Sequence, residues 1–209
     1  MKIDVVAKPN SLASDLGIHL FSYKEAIKMA FDKIKQNDVL SSWYDSFTNQ
    51  FHSRNVWQYL EVPEKGCFTD FRKMKVDDDE LAMERVFSIG GKTGWYYANF
   101  LWKIRGFLDK LMGGVGLRRG RRNQNELEAG DSVDFWRVLF ANKEEKRLLL
   151  FAEMKVPGEA WLEFYIKDGE LHQEATFRPL GLSGRLYWYS VLPFHGLIFN
   201  GMLRKLAGK

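Results

Sequence analysis

This chain of 209 residues has little cysteine, little proline, few histidines and no long apolar run. Cys67 stands alone, which excludes an internal disulfide and fits a reducing, cytoplasmic setting. The opening MKIDVVAKPNSLASD has no apolar core of the kind a signal peptide needs. The nearest approach to a membrane span, LYWYSVLPFHGLIF (186–199), falls short of the roughly 18 apolar residues required and is interrupted by Pro193 and His195. His19, His52, His172 and His195 show no metal-ligand spacing, and neither a metal nor a cofactor is expected. A dominant charge is missing as well. There are 31 basic and 27 acidic side chains, a net charge of +4, and four arginines at 118, 119, 121 and 122 account for the whole surplus. A general attraction for nucleic acid is therefore not expected.

Aromatic and apolar residues are plentiful, at 15% and 45% of the chain, enough for one sizeable core. Residues 1–15 read as a flexible leader. Residues 17–23 (GIHLFSY) read as a short strand. Ser22 and Glu25 then form an S-x-x-E capping box ahead of an amphipathic helix over 23–36, and 38–47 reads as a second short helix. The stretch 50–92 is poorly patterned. KVDDDE (75–80) reads as a solvated acidic turn and ERVFSI (84–89) as a strand. WYYANFLWKIRGFLDKLM (95–112) keeps a helical stripe of Tyr97, Leu101, Ile104, Leu108 and Leu111, widened by Phe100 and Phe107. Thr93 is placed to cap its start and Gly113 to end it.

The stretch GGVGLRRGRR (113–122) follows that helix. A phosphate loop needs its glycines before a helix, where free N–H groups and the positive end of the dipole lie. Here the order is reversed, so the glycines read as a helix exit. Arg118 and Arg119 are candidate anion-binding residues, weighed against a solvated, charged edge.

The second half contains four strand-like runs, 131–142, 146–156, 159–167 and 171–179. Their short polar connections have hairpin chemistry and lead to a long helix over 184–208. The predicted class is α+β with a helix-grip plan: a curved antiparallel sheet wrapped around a long C-terminal helix.

GGKTGWYYANFLWKIRGFLDKLMGGVGLRRGRR, GDSVDFWRV, AEMKVPGEAWLEF and LYWYSVLPFHGLIF together resemble a bacterial domain-of-unknown-function family. Its members often follow an NAD(P)-binding, short-chain-dehydrogenase-like Rossmann half, and the family resembles the START-like, or SRPBCC, superfamily. The resemblance implies one START-like domain over 16–209 with a helical insertion around 91–113. Residues 1–15 have no βαβ unit, so hydride chemistry is not expected of this chain.

Charged residues stand among apolar neighbours in the strands. Arg137 shares a face with Phe135 and Leu139, and Glu153 shares one with Leu149 and Phe151. Glu163 alternates with Leu162 and Phe164. These charges either line a ligand cavity or form a cross-strand ladder on an outer face, and a period of two does not say which face the helix covers. The leading expectation is a small apolar or aromatic ligand held between sheet and helix. Trp136, Trp161, Trp188 and Tyr189 would form the wall, and Arg137, Glu153, Glu163 and His195 the polar anchors. The alternative is a non-catalytic module that packs against a Rossmann-type reductase or against itself. A cyclase- or hydratase-like enzyme is third; its mark would be a carboxylate converging with His195. Oligomeric state does not follow from the sequence.

Overall fold

The computed structural model describes residues 16, 21–35, 60–114, 116 and 126–209. The chain divides into two compact units, Met1–Leu40 and Ser41–Lys209. The leader, the helix expected over 38–47 and Arg118, Arg119, Arg121 and Arg122 lie outside the described residues.

In the first unit, helix α1 spans Tyr23–Lys35. Its capping box forms as expected: Glu25 Oε2 accepts from Ser22 N at 2.8 Å, and Ser22 Oγ accepts from Glu25 N at 3.3 Å. Of the strand expected over 17–23, residues 17–20 lie outside the description, and Tyr23 already belongs to the helix.

The second unit contains β1 (Phe68–Lys75), α2 (Asp79–Phe87), α3 (Asn99–Leu111), β2 (Ser132–Val133), β3 (Trp136–Asn142), β4 (Arg147–Ala152), β5 (Gly158–Lys167), β6 (Glu170–Pro179) and α4 (Gly181–Leu206). Six strands form one curved antiparallel sheet in the order β1-β6-β5-β4-β3-β2, with the long helix α4 packed on β1 and β6. This is the α+β, helix-grip arrangement that the order of elements predicts. Asp168 and Gly169, both left-handed, close the two-residue β5–β6 turn; a type I′ hairpin needs that conformation at both positions. The β3–β4 turn is tied by Asn142 Oδ1, which accepts from Glu144 N and Glu145 N.

The sheet has two differently filled faces. Leu148, Leu150, Leu162, Phe164 and Leu171 meet Phe199, Met202, Leu203 and Leu206 of α4, with Val86 and Phe87 of α2, in the main core. Each such buried leucine or phenylalanine contributes roughly 1.5–3 kcal/mol. On the opposite face Leu139, Leu149, Phe151 and Trp161 form a second, smaller cluster. A bulge between Val138 and Phe140 pairs Phe140 with Leu149, so Phe140 packs against that cluster beside Leu139.

Three local expectations are corrected. The strand read at 84–89 is helical through Phe87. Asp78 caps α2 by accepting from Leu81 N at 3.0 Å, so the acidic run is a helix start. Helix α3 begins at Asn99 rather than near Thr93, after Tyr96 and Ala98 in the left-handed region. Its apolar stripe does not face the core: Ile104, Leu108 and Leu111 are exposed, as are Phe100 and Phe107, while Trp102, Gly106 and Asp109 face inward.

The glycines after α3 act as the helix exit that their order implies. Gly113 is left-handed, and a Cβ on Gly114 would overlap the Asp109 carboxylate. Fully buried Asp109 accepts from Gly116 N at 2.8 Å and Lys155 N at 2.6 Å, tying the exit to the end of the β4 hairpin.

Candidate functional site

Strand β1 alternates half-buried and exposed residues along its whole length. Its inward positions are Phe68, Asp70, Arg72 and Met74, so two charged side chains point toward the helix side of the sheet. They meet there. Arg72 Nη2 donates to Asp70 Oδ2 at 2.9 Å, and Arg72 Nη1 donates to Asn200 Oδ1 of α4. His195, five residues earlier on α4, has Nδ1 3.7 Å from Asp70 Oδ2. That is ion-pair range for a protonated imidazole and too long for a hydrogen bond. Burial holds the His195 pKa below its usual value of 6.5. Asp70 opposes that shift, and Arg72 adds to it. The ring is therefore neutral at neutral pH.

Gln173 is the cross-strand neighbour of Arg72 and is 0% exposed. Neither its Oε1 nor its Nε2 has a hydrogen-bond partner in the protein, and the same holds for His195 Nδ1. A buried amide without a partner costs about 1–3 kcal/mol. Gln173 on the sheet and His195 on α4 thus both carry polar atoms without a protein partner on the helix side of the sheet. Aromatic rings adjoin His195. Trp188 stacks on Phe68 at 5.4 Å and on Phe177 at 5.9 Å and meets His195 edge-on at 5.0 Å; His195 in turn lies 4.6 Å from Phe199. Tyr187, half-buried nearby, has its phenol pKa raised by burial, and its ring lies 5.9 Å from the Arg105 guanidinium. Arg105 does not pair with Asp109; it donates to Met154 Sδ at 3.0 Å.

The structure thus unites only part of the residue set expected from sequence. Trp188 and His195 come together under α4. Trp136 lies on the same face at the far side of the sheet, against Trp95 and Phe135. Tyr189 is 59% exposed and touches the group only through the edge of Phe68.

Arg137, Glu153, Trp161 and Glu163 are on the opposite face and cannot line a space under the helix, because alternation sends them away from Val138, Leu162 and Phe164. Arg137 and Glu153 form a fully buried two-point ion pair, at 2.9 and 3.3 Å, and Arg137 also donates to Gly130 O at 2.6 Å. Glu163 pairs with Arg147 at 2.6 Å and stands opposite Glu174, whose pKa is raised by burial and then by Glu163. Glu159 with Arg178 and Glu170 with Lys73 continue a cross-strand ladder. Asp70, Arg72, Gln173 and Asn200 were missed by sequence reasoning. The one available signal was charge at alternate positions of FTDFRKMK.

Fold and polar cluster together define a class: an α+β helix-grip domain with a partly buried polar and aromatic cluster between sheet and helix. The chain belongs to the family described as "Protein of unknown function (DUF2867)", whose model matches residues 64–202. A stretch of 125 residues is 29% identical to a protein of Pyrococcus abyssi (strain GE5 / Orsay) described as a probable translation initiation factor IF-2. The match spans 50% of this chain and 13% of that protein's length. Among solved structures, the crystal structure of Ara h 8.0201 aligns over 69% of this chain and all of its own, at 10% identity and a TM-score of 0.34. No helix among the described residues is long and apolar enough to cross a membrane.

Proposed function

We propose that this domain binds a small apolar or aromatic ligand between the β1–β6 edge of the sheet and α4. The observation that carries the reading is Gln173: a fully buried amide with two unpartnered polar atoms, with Arg72 and Phe164 as its cross-strand neighbours. The ligand's flat or apolar body would lie against Trp188, Phe68 and Phe177, and a single polar group would bond the Gln173 amide and the neutral His195 ring. The test is native mass spectrometry of gently purified protein against its denatured mass. An extra mass lost on denaturation, and absent from a folded Gln173→Leu variant, is the expected result. A bound mass that Gln173→Leu retains would place the ligand elsewhere, and no bound mass in either protein would count against the reading.

A second reading, an interaction module that packs on a Rossmann-type reductase or on itself, is favoured by the outward face of α4. Leu182, Leu186, Tyr189 and Leu197 are exposed there, and no Asp, Glu, Lys or Arg occurs between Arg185 and Arg204. Sedimentation velocity of the wild type and Leu186→Glu tests self-association. A concentration-dependent dimer lost in the variant supports it, and a monomer at all concentrations removes the self-pairing form.

A further inference from the structure

Helix α3 is amphipathic in the reverse of the usual sense. Phe100, Ile104, Phe107, Leu108 and Leu111 fall on one side at helical spacing, and all are exposed, Phe107 at 67% and Leu111 at 75%. The side turned to the protein carries Trp102, Gly106 and Asp109. Exposed Lys103 and Lys110 border the stripe along one edge, and exposed Lys155 lies beside Gly113 at its C-terminal end. No acidic side chain of α3 reaches solvent, because the sole carboxylate, Asp109, is buried and held by two backbone N–H groups. The surrounding sequence is polarised in the same sense. Residues 92–122 hold eight basic residues and one acidic residue, which leaves 23 basic and 26 acidic residues in the rest of the chain.

We infer that α3 is a membrane-surface helix, which lies in the plane of an anionic lipid bilayer with its aromatic and aliphatic stripe in the headgroup–acyl boundary. Charge complementarity chooses this occupant. The stripe offers apolar side chains without hydrogen-bonding groups. One edge offers lysines whose alkyl stems extend over apolar surface while the ammonium groups reach phosphates. A bilayer supplies that combination without directional contacts, and exposed Lys103, Lys110 and Lys155 add attraction to anionic headgroups. The helix is too short to span and is suited to lying flat.

The test is co-sedimentation of the full chain with phosphatidylcholine vesicles, with and without phosphatidylserine. Binding is expected to the phosphatidylserine vesicles and to fall with added salt. Lys103→Gln/Lys110→Gln should weaken it by an order of magnitude or more, since each lysine near an anionic surface is worth roughly fivefold. Phe107→Glu/Leu111→Glu should abolish it with an unchanged urea unfolding midpoint, because both side chains are exposed. The inference is overturned by wild-type protein that stays in the supernatant with phosphatidylserine vesicles, or by binding indifferent to the stripe substitutions. A dimer that Phe107→Glu/Leu111→Glu dissociates would also overturn it, making the stripe an interface between copies.

Discussion

The Arg137–Glu153 pair gives the sharpest check on which face of the sheet does what. Both side chains are 0% exposed and joined at two points, on the face away from α4. Glu153→Gln preserves shape and removes the counter-charge, leaving a buried guanidinium whose remaining charge-neutral contact includes Gly130 O. Breaking a buried pair from one side costs about 3–5 kcal/mol. A domain of this size is stable by about 5–15 kcal/mol, so the variant should lose a large part of its margin. The double replacement Arg137→Met/Glu153→Leu removes both charges together, and it should recover most of that loss. Equilibrium urea unfolding, followed by tryptophan fluorescence and far-ultraviolet circular dichroism, reads the difference as a shift in midpoint at constant slope. Any mass co-purified with the wild type should persist in the folded double variant. A cost below about 1 kcal/mol for Glu153→Gln would mean that the pair is solvated and would refute the assignment. Loss of bound mass in the double variant would return these residues to the binding site.

Two further outcomes are expected. The pKa values of His195 and His172 are both held below 6.5 by burial, so stability should be fully present above that pH. It should fall as pH drops, because the unfolded chain takes up protons before the folded one does. His195→Gln should flatten the acid side of a urea-midpoint profile, and stability that rises below pH 6.5 would contradict the placement. Gly114→Ala should destabilise the α3 exit by roughly 1–3 kcal/mol, because its Cβ would displace the Asp109 carboxylate from the Gly116 and Lys155 amides. Gly130→Ala, where nothing lies close but φ is positive, isolates the backbone cost and should be milder, at about 1 kcal/mol. Equal thermal midpoints for Gly114→Ala and the wild type would refute the account.

Much of the fold is legible from local chemistry. The Ser22–Glu25 box starts α1, Asp168-Gly169 closes a hairpin, and alternation in 159–167 sorts Leu162 and Phe164 from Trp161 and Glu163 without any knowledge of the partner strands. These are properties of a few consecutive residues, and sequence carries them in full. Three matters were left to tertiary packing. Strand β1 was invisible because Asp70 and Arg72 occupy inward positions that a hydrophobic pattern requires to be apolar; the residues that make the cluster also hide the strand. The stripe on α3 has the periodicity of a core helix, and period alone cannot tell solvent from interior; Trp102, Gly106 and Asp109 take the inner side because the rings of Trp95 and Phe135 and two loop amides receive them. Alternation also grouped Arg137 with Leu139, and Glu153 with Leu149 and Phe151, as the structure does, but it added Phe135 to Arg137's face, whereas Phe135 packs in the main core. Only the docking of α4 decided which face would be covered by the helix, because its contacts with β1 join residues more than a hundred positions apart and leave no local pattern.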